Sequence, residues 1–368
     1  MGRAGSGDGV EVVRARYAPG HRHGRCVLSE VLDSVGAPAD GIDLGRTVWL
    51  DTETTGLAGG TGTYAFLIGL AYLDGPTLVT EQFLLRRLSA ERHMLATLQD
   101  RLGGARHLVT FNGRRFDWPI LEARFILARQ QPAALAAHTD LIQPARWLWH
   151  RVFGTHRLSM LEAEVIGAPR SHDVPGWQIP MLYVEYLRTS NRAILNPILT
   201  HNRADLIAMI ALHGEVARIL RDPRGAGVPL DWEGAGVLLA RRTSHRQAVE
   251  CFERAAEEVT EPRARWRILG RLMRQHRLLG EPDRVCARWE AEADAWPRPD
   301  RFRAHVLEEV AKTRGRRGDL EGARRAAAEA LRIALSLSGA PSDGAAQDLS
   351  RLGERLRRRL ARLNPARA

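Results

Sequence analysis

Thr47-Val48-Trp49-Leu50-Asp51-Thr52-Glu53-Thr54-Thr55-Gly56 is the stretch on which the fold turns. Its first four residues form an apolar run of strand length bounded by charge on both sides, the pattern of a buried β-strand. Asp51 and Glu53 follow at once, and at i and i+2 on an extended chain both side chains project to one face of a sheet. Two carboxylates therefore sit together where the strand ends. Adjacent like charges resist joint ionisation, and a divalent cation between them removes the conflict. For this dipeptide alone, the plainer alternative is a pair of solvated loop carboxylates beside Thr54-Thr55-Gly56.

Outward from this strand, residues 65–72 and 78–85 are two further strand-like segments separated by Asp74-Gly75-Pro76, which is turn chemistry. Three consecutive antiparallel strands are expected. From Ser89 to Leu102, Met94, Leu95, Leu98 and Leu102 fall on one helical face, and Gly103-Gly104 ends the helix. A strand over residues 107–111 leads through Asn112-Gly113 into a helix over 116–129, giving the order β-β-β-α-β-α. A strand-like piece at 138–142 precedes mostly helical stretches at 158–166, 181–188 and 197–220, with a loop from Pro169 to Gly176. The expected fold class is α/β, a mixed sheet with helices packed on its faces.

Two more carboxylate motifs lie along this frame. Asp117 follows the apolar strand and the Asn112-Gly113 turn, near the start of a helix, where an acidic residue also suits the helix dipole. His201 and Asp205 are i and i+4 within His201-Asn202-Arg203-Ala204-Asp205 and so share a helix face. Capping or simple solvation is the alternative for that pair.

Taken together, D-T-E-T-T-G, F-N-G-R-R-F-D and H-x-x-x-D resemble, in order, the three motifs of the DEDD (DnaQ-like) exonuclease superfamily over about residues 46–213. Within it the chain most resembles the YprB-like predicted exonucleases, including Asp173-Val174-Pro175-Gly176 ahead of the last motif and a helical-repeat C-terminus. The resemblance implies a ribonuclease H-like fold and a metal-dependent 3′–5′ exonuclease that hydrolyses phosphodiesters with two ions. Asp51 would bridge both ions, Glu53 and Asp205 would complete the first site, and Asp117 would reach the second. An all-oxygen ligand set suits Mg²⁺ or Mn²⁺. His201 would be the general base. Here the chain departs from the pattern: the branch with a His base spaces it H-x-x-x-x-D and the branch with a Tyr base Y-x-x-x-D, whereas this chain has His at the Tyr spacing. Thr54, Asn112, Arg114 and Arg115 are expected to contact substrate, and Asp140 to play a structural part.

Beyond residue 222 the character of the chain changes. Residues 1–45, with the cluster His21-Arg22-His23-Gly24, are expected to be an irregular surface segment, 46–222 the ribonuclease H-like unit, 223–235 a Gly- and Pro-rich linker, and 236–368 an all-helical domain. In that tail Ala248, Val285 and Ala323 each open a similar set of small and apolar residues, with 37- and 38-residue spacing, close to tetratricopeptide-like (TPR-like) helical hairpins. The formal net charge of +11 is concentrated there: residues 231–368 hold 29 Lys+Arg against 21 Asp+Glu. Lys312 is the sole lysine, so the Arg excess points to codon bias more than to chemistry, although guanidinium groups do suit phosphates.

The remaining features mostly exclude. Cys26, Cys251 and Cys286 have neither metal nor redox spacing, which argues against a disulfide framework or a zinc ribbon. No apolar run of eighteen residues exists and Met1–Val10 lacks an apolar h-region, so a soluble, cytoplasmic protein without membrane contact is expected. Gly56–Thr63 is Gly-rich but lacks the Lys of a phosphate loop and is expected to be a hairpin loop. Trp147 and Trp149 could stack bases, with at least one of them in the core, and the run Arg355–Arg359 is expected to be a solvated terminal helix, with nucleic-acid contact as the alternative. The expected partners are DNA or RNA, at a single-stranded end, and a protein docked on the helical tail. A nucleic-acid-binding or scaffold protein that has lost turnover is the alternative from another class.

Overall fold

The structure is a computed structural model that describes residues 2–7, 9–36, 42–56, 62–296, 298–337 and 345–363. The chain divides into two units, Met1–Asp231 and Trp232–Ala368.

The first unit begins with strands β1 (Gly2–Gly7) and β2 (Val10–Tyr17), the two-residue strands β3 (Arg22–His23) and β4 (Cys26–Val27), and helix α1 (Leu28–Val35). Then come β5 (Thr47–Thr54), β6 (Ala65–Asp74), β7 (Thr77–Leu85), α2 (Glu91–Leu102), β8 (His107–Thr110), α3 (Asp117–Leu127), β9 (Ala137–Asp140) and α4 (Ile142–Phe153). Last are α5 (Leu158–Leu161), which runs into a π-helical turn at Glu162–Ile166, α6 (Ile179–Thr189) and α7 (Leu195–Arg221). The sheet order is β1-β2-β7-β6-β5-β8-β9, with β5 antiparallel to β6 and parallel to β8. The stretch that opens with Thr47 is thus the hinge between the antiparallel and parallel halves.

Alternation along β5 sends its residues into two separate cores. Leu50 packs with Phe66, Phe83, Met94, Leu121 and Phe125, under α2 and α3. Trp49 packs with Val31, Val109, Leu206, Met209 and Ile210, under α1 and α7. Asp51 and Glu53 share the parity of Trp49 and so face α7, whereas Thr52 faces the α3 side.

The irregular reading of residues 1–45 is corrected. Val10–Tyr17 pairs antiparallel with β7 over its full length, and Leu28, Val31, Leu32 and Val35 are the buried stripe of α1. Charge hid the strand: Arg14 is paired with Glu81, whose carboxylate is fully buried, and Glu11 is paired with Arg192. His23 Nε2 donates to Glu162 Oε1 at 2.8 Å, and His21 packs against the Tyr17 ring. Trp149 is fully buried, so it belongs to the core and not to a stacking surface. Most of the Gly-rich loop, residues 57–61, lies outside the described residues, while its flanks are tied by Thr55 N–H donating to the Tyr64 carbonyl at 2.9 Å.

A buried imidazole gives this unit a pH signature. Trp49 Nε1 donates to His213 Nδ1 at 3.3 Å, and burial lowers the His213 pKa to about 3. The unfolded chain binds a proton here below about pH 6.5 while the folded chain does not, so stability falls as pH drops from about 6.5 towards 3, by at most about 1.4 kcal/mol per pH unit. His213→Asn keeps an acceptor for the indole without titrating. Melts at pH 7, 5.5 and 4.5 are expected to show the wild type losing ground to the variant as pH falls; a constant difference would refute the assignment.

The second unit is helical throughout its described residues: α8 (Trp232–Arg241), α9 (His245–Glu258), α10 (Pro262–Leu278), α11 (Pro282–Ala295), α12 (Arg301–Arg316), α13 (Leu320–Leu337) and α14 (Ala345–Arg362). Ala248, Val285 and Ala323 are buried near the starts of α9, α11 and α13. A repeated polar staple accompanies them. Arg265 on α10 donates to the carbonyls of Ala256 and Val259 and pairs with Glu292; Arg303 on α12 donates to the carbonyls of Ala293 and Trp296 and pairs with Glu329. Each guanidinium thereby satisfies the open carbonyl end of the preceding helix and ties it to the next one.

The expected linker also needs correction, because α8 begins at Trp232 and takes in Gly234. Glycine here serves close packing: a Cβ on Gly236 would lie 2.7 Å from the Phe252 ring. In the terminal run, Arg355 is paired with Glu308 at 2.8 Å.

Candidate functional site

Helix α7 lies over the face of β5 that carries Asp51 and Glu53, and it brings His201 and Asp205 to them. His201 Nε2 lies 3.3 Å from Asp205 Oδ2 and 4.0 Å from Glu53 Oε1. One ligand atom from each of Glu53, His201 and Asp205 falls within 4.8 Å of the others, the spread of a metal-ligand set. Asp51 is on the same face, two residues before Glu53. Asp117 arrives from the other side of the sheet at the N-terminus of α3, where its Oδ1 accepts from Thr52 N at 3.1 Å and Thr52 Oγ1 at 2.6 Å.

The electrostatics fit a cation. Burial, with the charges of Asp205, Glu53 and Asp117, pushes the Asp51 carboxyl well above the usual carboxylate range. Burial and the charges of Asp205, Asp117 and Asp173 do the same to Glu53. Burial raises Asp117 to about 6 against the opposing bonds from Thr52. Like carboxylates gathered out of water need either protons or a positive partner. His201 is driven against its burial to about 9 by its bonds to Asp205 and Asp173. Asp205, half-buried, is held below the usual range by His201 and Arg170.

Two parts of the site escape the sequence reading, and a third stands in the quoted segment Asp173–Gly176 without a role assigned to it. Asn202, fully buried, donates from Nδ2 to Asp51 Oδ2 at 2.8 Å, and its Oδ1 accepts from Gln82 Nε2 at 2.8 Å. Asp51, Gly69 and Gln82 lie in one lateral row across β5, β6 and β7. Asn202 fills the space over Gly69, where a Cβ would come within 2.3 Å of its Oδ1. Arg170 is the second: its guanidinium reaches Asp205 Oδ1 and Glu162 Oε2, each at 2.5 Å, and Asp173 Oδ2 at 2.8 Å. Asp173 is the third, with Oδ1 2.6 Å from His201 Nδ1. A glycine inside a strand signals a close approach, but nothing local names its partner.

The expected substrate contacts lie at the rim. Thr54 Oγ1 donates to the Gly56 carbonyl at 2.9 Å. Asn112 takes a left-handed backbone, φ +68°, and its N–H donates to Asp140 Oδ1 at 2.6 Å. Asp140 also accepts from Arg114 N at 3.2 Å and Ile142 N at 3.2 Å, so it organises the turn that leads to Asp117. The Arg114 guanidinium donates to the His138 carbonyl, and Arg115 is exposed.

This frame of a mixed sheet, strand-end carboxylates and a covering helix has a counterpart among known proteins. Residues 48–217 match the family described as RNase_H superfamily. The fold of the first unit is ribonuclease H-like. Over 257 residues the chain is 29% identical to Uncharacterized protein YprB of Bacillus subtilis (strain 168), covering 66% of this chain and 62% of that relative's length. The chain therefore spans under two thirds of the curated relative it matches. No helix among the described residues is long and apolar enough to cross a membrane.

Proposed function

We propose that the protein is a metal-dependent 3′–5′ exonuclease that hydrolyses nucleic-acid phosphodiesters, with Asp51, Glu53, Asp117 and Asp205 as metal ligands. The observation that carries this reading is the convergence of Glu53, His201 and Asp205 on the face that also holds Asp51. The raised carboxyls of Asp51 and Glu53 support it, since a dication would replace the protons that the site otherwise needs. Polarity and the two-ion count rest on the resemblance of the three motifs to the DEDD exonucleases.

Bound divalent ions would supply Lewis-acid stabilisation of the phosphoryl oxygens and of the attacking and leaving oxygens. This chain's own residues set the geometry. Asn202 orients Asp51, Thr52 holds Asp117, and Arg170 holds Asp205 by one oxygen so that the other points into the cluster. Arg115, exposed two residues before Asp117, would meet a phosphate of the incoming strand.

One observation favours a second reading, a binding or scaffold protein without turnover: Arg170 already neutralises Asp205 from within the chain. The helical unit would then recruit a partner. The deciding assay is incubation of 5′-labelled single-stranded DNA and RNA with the protein in Mg²⁺, Mn²⁺ or EDTA. A ladder shortening from the 3′ end and requiring metal is expected; internal cuts would indicate an endonuclease, and intact strands with folded, metal-loaded protein would establish the scaffold reading.

A further inference from the structure

We propose that His201 is itself a metal ligand through Nε2, in a mixed nitrogen and oxygen set with Glu53 and Asp205, and that this set selects a first-row transition ion over Mg²⁺. The inference rests on the proposed metal-dependent reading and departs from the expectation of His201 as a general base.

Distance is the first argument. Around an ion with bonds of about 2.1 Å, neighbouring ligand atoms lie about 3.0 Å apart and opposite ones about 4.2 Å. The separations of His201 Nε2 from Asp205 Oδ2, 3.3 Å, and from Glu53 Oε1, 4.0 Å, fall inside one such shell. A base acting on a metal-bound water would stand one water further out, with its nitrogen about 2.6–3.2 Å from that water and not from the ligand oxygens. The spacing in sequence has the same meaning. With His and Asp at i and i+4, both side chains leave one face of α7 a single turn apart and can close on the same ion.

Orientation is the second. His201 Nδ1 is 2.6 Å from Asp173 Oδ1, which fixes the ring with Nε2 aimed at Glu53 and Asp205, where a cation would displace the proton that Nε2 shares with Asp205. A carboxylate behind the distal ring nitrogen is the usual support of a metal-bound imidazole. Asp205 is restricted in parallel: its Oδ1 accepts from Arg170 Nη2 at 2.5 Å, which leaves only Oδ2 for the cluster. The carboxylate that would otherwise offer two oxygens offers one, and imidazole nitrogen takes up the neighbouring position. Carboxylate and water suit Mg²⁺, whereas an imidazole in the set favours transition ions. Asp173 is a positioning residue in this scheme.

The test uses full-length protein stripped of metal and titrated with Mn²⁺, read by electron paramagnetic resonance with pulsed detection of directly coordinated nitrogen. Wild type is expected to bind Mn²⁺ with a bound-nitrogen coupling and to prefer Mn²⁺ over Mg²⁺ in competition. His201→Gln is expected to lose the coupling and to lower that preference at least tenfold. Asp173→Asn should keep the coupling while weakening Mn²⁺ binding by about 10–100-fold. Bound Mn²⁺ without nitrogen coupling in the wild type overturns the inference and leaves the metal-dependent reading standing. No Mn²⁺ binding at all overturns both. Because the wild-type spectrum decides the point, a variant that fails to fold does not weaken the test.

Discussion

Asp51→Asn is expected to remove metal-dependent hydrolysis by about 10³-fold or more and, in the same protein stripped of metal, to raise the melting temperature. The first effect follows from losing a charged ligand at a centre whose Lewis-acid contribution is several kcal/mol, when each 1.36 kcal/mol is tenfold in rate. The second follows from burial. Asp51 lies among Glu53, Asp117 and Asp205, and its carboxyl is held well above the usual range by burial and by those charges. A carboxyl whose folded pKa is raised contributes stability that is present below its unfolded value, about 3.9, and lost as pH rises through the folded value. The advantage of the amide is therefore small at pH 4 and largest at pH 8. Asn is close to isosteric and can still accept the bond that Asn202 Nδ2 donates to Asp51 Oδ2, so the geometry is kept.

Saturating Mn²⁺ reverses the order of the two proteins. A ligand that binds only the folded state at 100 times its Kd adds about 2.7 kcal/mol, and the wild type alone receives the full amount. Melts at pH 5 and pH 8, with EDTA or Mn²⁺, together with single-turnover cleavage, make the comparison. Asp51 would not be a metal ligand if the variant cleaved at the wild-type rate, or if metal raised both melting temperatures equally.

The sequence shows the ribonuclease H-like frame well where apolar runs are unbroken. Thr47–Leu50, Ala65–Tyr72 and Leu78–Leu85 carry their own strand signal, and alternation alone puts Asp51 and Glu53 on one face. The i, i+4 spacing likewise puts His201 and Asp205 together on α7. Illegible parts are those whose meaning depends on a distant partner. Val10–Tyr17 carries Glu11, Arg14 and Arg16, which obscure its period until Arg192, Glu81 and Asp74 are seen to pair with them. Helix α1 carries a helical stripe in Leu28, Val31, Leu32 and Val35, but the Gly and Arg around it mask the period. Gly234 and its neighbours read as a linker because glycine signals both flexibility and close approach, and only Phe252 against Gly236 decides which applies there. Arg170 looks like any loop arginine until folding places three carboxylates around it.

Gly69→Ala carries the same lesson to a large expected effect. The row Asp51, Gly69, Gln82 runs laterally across three strands, and Asn202 is lowered onto it from α7. The added methyl would meet Asn202 Oδ1 at 2.3 Å and Nδ2 at 2.9 Å, closer than real Cβ contacts allow. Asn202 cannot swing aside freely: it is fully buried, and Gln82 Nε2 is shared between Asn202 Oδ1 and the Leu199 carbonyl. The clash therefore either lifts α7 or breaks the bonds to Gln82 and Asp51. Overpacking costs about 1–3 kcal/mol, and an unsatisfied buried amide adds about 1–3 kcal/mol more. Lifting α7 also widens the gap between Glu53 on β5 and His201 and Asp205 on the helix, so metal affinity should fall together with stability. Asn202→Ala with Gly69→Ala separates the two causes. If the clash is the cause, the double variant recovers stability relative to Gly69→Ala alone, while metal-dependent cleavage stays low because Asp51 has lost its orienting amide. Should Gly69→Ala melt and bind Mn²⁺ like the wild type, the close approach of Asn202 to the sheet would not be part of the site.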